Sequence, residues 1–514
     1  MSASFSLQDL SPRAVVLFLL PYLPYVVVPV LVVSYVKTWY RLRHFHGPWV
    51  GSISYLWMAV VAVSGRMNLI YTEVNKKYGP LARIGPNVLI TDDPEIVRYM
   101  SSARSSYTRS EWYEGVRIDP YVDNVLSEMD VTAHDKIRAK MAGAYAGKDN
   151  PNLEADIDEQ VEAFVSLIRR KYISKGAILR PMDFGRKAQY LTLDVITKIA
   201  YGEEFGFIAN DEDVHDYIKI TEQTVPVIAF CTMIPWANSF LNKSWVRDLV
   251  GPGPDDKHGL GKLMGVAKKV VGERFGPDKK EKLDMLGAFV RSGLPQRRIE
   301  SEVLLQIIAG SDTTATALRA TLLYIITTPR IIGKLRAEMD AAEDVGALSN
   351  PITNAEAKEL PYLQACIREG LRIHPPFTGL IMKRVPPAGD TINGQYVPGG
   401  TSIGHSTWGM ERNEIFGKDA EVFRPERWID ADPETEAQMD RTVELIFGYG
   451  RWGCLGKSVA YVELNKFFVE LLRRFDMELI DPKNPWKSAN HNLFFQEDMW
   501  LRVTEREPRQ SSNK

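Results

Sequence analysis

Of the three cysteines in 514 residues, Cys454 has the surroundings most suited to chemistry. It lies in the run Phe447-Gly448-Tyr449-Gly450-Arg451-Trp452-Gly453-Cys454-Leu455-Gly456, where the glycines remove side-chain bulk and permit positive φ angles. A backbone of this kind can fold closely around something flat. A long amphipathic helix is expected directly afterwards, from Leu455 through Val462, Phe467 and Leu471 towards Phe475. The N–H groups and positive dipole at its start favour a thiolate over a thiol, and a thiolate is a good metal ligand. The competing reading is a buried structural cysteine beside a Gly-rich turn.

A second constellation, Ala309-Gly310-Ser311-Asp312-Thr313-Thr314, stands inside a stretch from about Arg298 to Thr328 that is apolar on nearly all faces. Such a stretch reads as a helix buried through the middle of a domain. A polar island there costs stability unless every group finds a partner. Thr313 can bond back to the carbonyl of Ala309, and Gly310 weakens the local ladder. An acid beside a hydroxyl could relay protons at a cofactor face, or these side chains could merely satisfy their own helix. Glu369 and Arg372 share one helix face at i, i+3 spacing, and Pro425-Glu426-Arg427-Trp428 adds another arginine. An exposed pair of this kind is worth only about 0 to 1 kcal/mol.

The elements that must position these groups are bounded by composition. With 63 basic against 65 acidic residues, the net charge of -2 argues against gripping nucleic acid through a net field, and 45% apolar residues argues against disorder. Three cysteines cannot form a disulfide framework and suit a reducing compartment, with Cys231 and Cys366 read as core residues. From Ala14 to Val36 the chain carries no charge, and as a helix that stretch reaches roughly 35 Å, enough to span a bilayer. Lys37, Arg41 and Arg43 follow it and place the rest of the chain in the cytosol. The expected organisation is therefore an N-terminal segment 1–36 with the anchor, a basic hinge-like linker 37–50, and one body 51–514. The body is predicted to be mainly α with small β-sheets. Leu81–Ile84 and Val88–Ile90 form a hairpin across Gly85-Pro86-Asn87, and a strand-rich stretch from Gly389 to Ile403 turns at Asn393-Gly394 and Pro398-Gly399-Gly400.

The order of these motifs carries more weight than any one of them. A-G-S-D-T-T, then E-x-x-R, then P-E-R-W, then F-G-Y-G-x-x-x-C-L-G, behind an N-terminal anchor, resembles the microsomal cytochrome P-450 family of heme-thiolate monooxygenases. Gly79–Asn87 and Asp284-Met285-Leu286 are similar to fungal members. The resemblance implies the cytochrome P-450 fold after a single transmembrane helix, and heme b (iron protoporphyrin IX) with Cys454 as the axial iron ligand. It also implies Phe447 packed beside the heme, Gly450 and Gly456 admitting its close approach, Asp312 and Thr313 delivering protons, and Ala309 and Gly310 making room. Glu369, Arg372 and Arg427 would form a supporting buried charge network. Two departures stand out: Trp452 occupies the place of the usual Arg or His before the cysteine, and a W-x-x-x-R helix motif reads His134-Asp135-Lys136-Ile137-Arg138. His134, Arg138 and Arg384 become the candidate contacts to the heme propionates, with Trp452 able to donate one N–H.

By the same resemblance the activity is oxidation of a hydrophobic small molecule with O2 and NADPH-derived electrons. The electrons would come from a separate flavoprotein reductase, with cytochrome b5 as a second donor, and Lys136, Arg138 and Lys140 could face that partner. The expected setting is the endoplasmic reticulum membrane, crossed once, with a cytosolic catalytic domain and a role in fungal secondary metabolism. Substrate contacts are expected from Ser105–Asn124, Val225–Pro235, Pro376–Ile381 and Leu493-Phe494-Phe495. Alternatives are a heme-thiolate isomerase or dehydratase, a detoxifying oxidase, and a non-catalytic heme or lipid carrier.

Overall fold

A computed structural model describes residues 22–507. The helices that build the site are α1 (Leu23–Arg41), α2 (Val131–Tyr145), α3 (Phe184–Tyr201), α4 (Tyr217–Thr232), α5 (Gln296–Ile326), α6 (Pro361–Ile373) and α7 (Lys457–Leu472). The longest, α5, starts directly after Pro295, whose fixed φ suits the residue before a first turn. It is buried along most of its length, as its apolar sequence demands. α3 lies along it, and α6 and α7 also pack against it.

The principal sheet runs in the order β1 (Leu81–Gly85), β2 (Val88–Thr91), β5 (Ser402–His405), β4 (Lys383–Arg384), β3 (Thr108–Arg109). The hairpin expected at Gly85-Pro86-Asn87 is present, with Leu81 opposite Thr91 and Ala82 opposite Ile90. β2 then pairs in parallel with β5, which brings residues some 300 positions apart into register. The second expected hairpin joins Asp390–Ile392 to Gln395–Val397. Its turn residues Asn393 and Gly394 have φ of 48° and 76°, the left-handed pair that a two-residue hairpin loop needs. A separate sheet near the C-terminus orders Met182–Asp183, Trp500–Glu505 and Phe475–Leu479.

The linker expected over 37–50 is not a free hinge. α1 runs on to Arg41, and Leu42 and Phe45 are buried in a cluster with Leu81, Leu89 and Ile403 of the principal sheet. Backbone pairing adds to the attachment: Arg83 N–H donates to His46 O at 2.8 Å, and the Arg83 guanidinium donates to Trp39 O at 3.1 Å. Leu42, between Arg41 and Arg43, and Phe45, just beyond them, turn inward and decide the packing. The expected span 14–36 falls partly outside the described residues. Among those described, no single helix is long and apolar enough to cross a membrane. Val27, Val28, Val30, Leu31, Val32 and Val33 of α1 are exposed.

Candidate active site

The cysteine loop is closed by its own backbone. Cys454 N–H donates to Phe447 O at 2.6 Å, and Gly448 and Gly450 take φ of 74° and 60° to make the return possible. At Gly450 a Cβ would stand 2.5 Å from Ser101 O, so only glycine lets the loop lie on that neighbouring backbone. α7 begins two residues later than expected, at Lys457, capped by Gly456. The N–H groups of Gly456 and Lys457 therefore point at the Cys454 sulfur, and together with Arg138 they favour the thiolate. Burial works the other way and pushes the thiol above its ordinary value. Protein surrounds Cys454, yet its own surface is accessible, so the sulfur fronts an interior space. A Cβ on Gly456 would be 3.8 Å from that sulfur, in ordinary contact. Phe447 packs against Tyr461, with ring centroids 5.5 Å apart.

Beside this loop stands a group of buried cations. Lys383 is 2% exposed and its ammonium has no hydrogen-bond partner; it lies 4.0 Å from the centroid of the Trp452 ring. Burial and the nearby charges of Arg109 and Arg451 hold its pKa well below the usual lysine value. Arg109 lies 4.4 Å from the same ring, and its Nε is also unpartnered. Its Nη1 donates to Val125 O at 2.9 Å and Glu128 O at 2.7 Å, both neutral carbonyls. His134 packs on the Trp452 ring at 4.6 Å, donates from Nδ1 to Asp135 Oδ1 at 3.0 Å, and is kept neutral by burial, with its pKa lowered to about 4. Arg138 Nη1 donates to Gly453 O at 2.5 Å.

A buried cation without a counter-charge, as Lys383 is, requires an anion. The two carboxylates of heme meet that need, and a thiolate at a helix start supplies the axial ligand, so the residues present fit heme. The strand β4 decides which side chain takes part. Successive residues of a strand face opposite ways; Lys383 turns inward, whereas Arg384 pairs with Glu111 on the other side. The structure thus adds Lys383 and Arg109 to the cluster, while Arg384 meets Glu111 through Nη2 and keeps a buried Nε without a partner. An unpartnered lysine and an arginine with a free Nε beside one indole are a tertiary feature, and the sequence offered only the dipeptide Lys383-Arg384 as a hint.

On α5 the expected polar island divides by face. Ala309 is exposed and Thr313, one turn on, half-buried in the middle of a helix buried along most of its length, so these two border an interior space. Thr313 Oγ1 donates back to Ala309 O at 2.7 Å, as its spacing predicts. Gly310 faces elsewhere: a Cβ there would stand 2.8 Å from Ile196 Cγ1, so this glycine serves the close contact of α5 with α3 rather than making room at a cofactor. Asp312 also points away from the accessible face. It is 2% exposed, with Oδ1 accepting from Gln189 Nε2 at 2.5 Å and Oδ2 from the Tyr217 hydroxyl at 3.2 Å. Burial raises its pKa to about 7, against the opposing pull of Arg319.

Glu369 and Arg372 are each fully buried, not exposed as an isolated i, i+3 pair would be. Arg372 donates to both oxygens of Glu369, at 2.9 and 2.8 Å, and Arg427 Nε reaches the same carboxylate at 3.0 Å. Trp428 Nε1 adds a further donor at 3.0 Å. The remaining guanidinium N–H groups of Arg372 fall on Glu411 O and Ala420 O, each at 2.8 Å, and on Val422 O at 3.3 Å. Three of the four segments expected to touch substrate converge in one apolar cluster, containing Trp112, Ala229, Met233, Leu380 and Met382. Phe494 belongs instead to an aromatic group with His374 and Trp408.

Comparison with known proteins shows the family. The family model described as Cytochrome P450 matches residues 47–499. The chain is 50% identical over 485 residues to the cytochrome P450 monooxygenase ABA1 of Pyricularia oryzae, covering 93% of this chain and 95% of the relative. It is 42% identical to the cytochrome P450 monooxygenase aba1 of Botryotinia fuckeliana, covering 91% and 92%. The crystal structure of the cytochrome P450DA heme domain shares the fold, with a TM-score of 0.72 at 18% identity over 90% of this chain and 98% of that one. A cysteine loop, a buried cation cluster and a helix with one accessible polar face thus stand in a chain that belongs to the cytochrome P450 family and is a heme-dependent monooxygenase.

Proposed function

We propose that this monooxygenase places one oxygen atom on a hydrophobic small molecule of fungal specialised metabolism, with electrons from NADPH passed through a separate flavoprotein reductase. The observation that carries the reading is Cys454, with backbone N–H groups of Gly456 and Lys457 directed at a sulfur that fronts an interior space. Heme bound there supplies the activation of dioxygen. The chain's own residues do the rest. Lys383 and Arg109 neutralise the propionates, and Trp452 holds both cations by its ring face. The apolar cluster around Leu380 and Met382 excludes water and orients the substrate. Thr313 presents a hydroxyl to the site, and Asp312, held in place by Gln189 and Tyr217, supplies the proton that reaches it.

Lys136 and Lys140 are exposed on α2, the helix whose Arg138 touches the carbonyl next to Cys454. An acidic reductase surface, or cytochrome b5, docking on them would stand close to the cysteine loop. We place the protein on the endoplasmic reticulum membrane with its body in the cytosol, supported by the uncharged run to Val36 and the basic residues after it. The exposed apolar side chains Trp236, Phe240, Trp245 and Leu249 suit the same surface.

The carbon monoxide difference spectrum of the reduced protein tests the thiolate: a red-shifted Soret band is expected, and its absence from heme-loaded protein overturns the assignment. Charge reversal at Lys136 and Lys140 should slow electron transfer more at low salt than at high salt, and an unchanged rate removes the docking proposal.

A further inference from the structure

The surroundings of Asp312 contain more than a partner for each oxygen. Gln189 cannot turn its amide, because its Oε1 accepts from Arg319 Nη2 at 3.1 Å and a guanidinium only donates. Arg319 is itself fixed, 1% exposed and donating from Nε to Gly185 O at 2.7 Å. The Gln189 NH2 is thereby committed to Asp312 Oδ1 whatever the charge of the acid.

The other oxygen meets a different arrangement. The Tyr217 hydroxyl lies 3.2 Å from Asp312 Oδ2 and 3.2 Å from Ser311 Oγ. Ser311 Oγ spends its own hydrogen on Ile307 O, at 2.7 Å, so towards Tyr217 it acts as acceptor. The tyrosine therefore has two acceptors within reach and one hydrogen to give. When Asp312 is ionised, the Tyr217 O–H can donate to Oδ2. When Asp312 carries its proton on Oδ2, that O–H donates to the tyrosine oxygen and the Tyr217 O–H turns to Ser311. No donor is left unpaired in either state, although everything here is buried.

We propose that Tyr217 is a positioning residue for the proton step, its hydroxyl acting as a two-position hydrogen-bond switch that lets Asp312 gain and lose a proton in place. Its bearing on catalysis rests on the relay role given to Asp312 above. The other charged groups around the acid are Arg319 on α5, Glu222 on α4, and Arg186 and Asp183 next to Arg319. Substitution of Tyr217 or Ser311 leaves all four in place, so a shift caused by either variant reports the hydroxyl chain.

Tyr217→Phe removes a donor to the carboxylate, and hydrogen bonds to a charged group are worth more than those to a neutral one, so the Asp312 titration should move up by about one pH unit. Ser311→Ala acts in two ways: it removes the alternative acceptor, leaving the Tyr217 O–H unpaired when the acid is protonated, and it removes the direct lowering that the Ser311 hydroxyl exerts on the acid. Only the first effect needs Tyr217. The shift caused by Ser311→Ala should therefore lie about one pH unit lower in the parent than in the Tyr217→Phe background. The readout is the infrared C=O band of the protonated carboxyl against pH in resting, heme-loaded protein, identified by its loss in Asp312→Asn. That difference, with the upward shift of Tyr217→Phe, supports the switch. An equal effect of Ser311→Ala in the two backgrounds, or no upward shift in Tyr217→Phe, overturns it. If Tyr217→Phe does not fold, Ser311→Ala decides alone: a net downward shift, against the direct effect, supports the switch and any other result overturns it. The relay is tested separately, by product formed per NADPH in Asp312→Asn. Since the infrared titration involves no turnover, either idea can fail while the other stands.

Discussion

At position 452 the chain carries an indole, and the charge that the site needs is supplied by Lys383 and Arg109 against the faces of that ring. Lys383→Met removes a buried cation that has no other partner. The expected outcome is folded protein that loses heme about tenfold faster or more, measured by transfer to a heme-scavenging apoprotein. Arg384→Met, which leaves Lys383 in place and removes a cation already paired with Glu111, should change that rate less. Asp312 has a pH signature as well. Its folded pKa is raised to about 7 from an ordinary value of 3.8, so the fold holds its proton more tightly than the unfolded chain does. The stability this gives is fully present below the ordinary carboxylate value and is lost as pH rises through 7. Denaturant midpoints between pH 5 and 8 should therefore fall less steeply in Asp312→Asn than in the parent. Cys454 and Thr313 stood out as candidates from local pattern, and both border an interior space. Lys383 did not stand out, because a two-residue strand does not declare which of its faces is inward until its neighbours β3 and β5 are known.

Helices meet at positions where a single atom decides the spacing. Gly310→Leu would drive a side chain into Ile196 and should destabilise the protein by about 1 to 3 kcal/mol in chemical denaturation. Combining it with Ile196→Ala should restore part of that loss, and full additivity of the two changes would show that this contact does not set the approach of α3 to α5. The buried network of α6 is of another kind. Glu369→Gln leaves Arg372 and Arg427 facing each other without their shared carboxylate, at an expected cost of about 3 to 5 kcal/mol and with loss of heme-loaded protein on expression. Here local spacing was misleading by itself. Glu369 and Arg372 at i, i+3 look like any surface pair, and only the arrival of Arg427 and Trp428 from 58 and 59 residues further on makes them a core. The hairpin turns, by contrast, were legible because Asn393-Gly394 specifies its backbone locally.

For the whole molecule, the boundary between N-terminal segment and body is the feature that packing redrew. A chain beginning at residue 37 should keep the thermal stability of the full chain. One beginning at residue 47 loses the buried Leu42 and Phe45, each worth about 1.5 to 3 kcal/mol, and should unfold at a lower temperature. Equal melting temperatures would show that the docked segment contributes nothing. The mainly helical class with small sheets was plain from periodicity and turn signals, whereas the docking of residues 37–50 depends on contacts with Leu81, Leu89 and Ile403 far along the chain.

That docking also has a mechanical side. α1 enters the body as a continuous helix, and its last turn is fastened to the sheet through Arg83 and the buried Leu42, with no slack between them. A flexible tether would let the body swivel and tumble beneath its point of attachment. A fastened helix transmits direction as well as position, so any surface that grips α1 sets the tilt of the body, and with it the side from which small molecules and redox proteins approach.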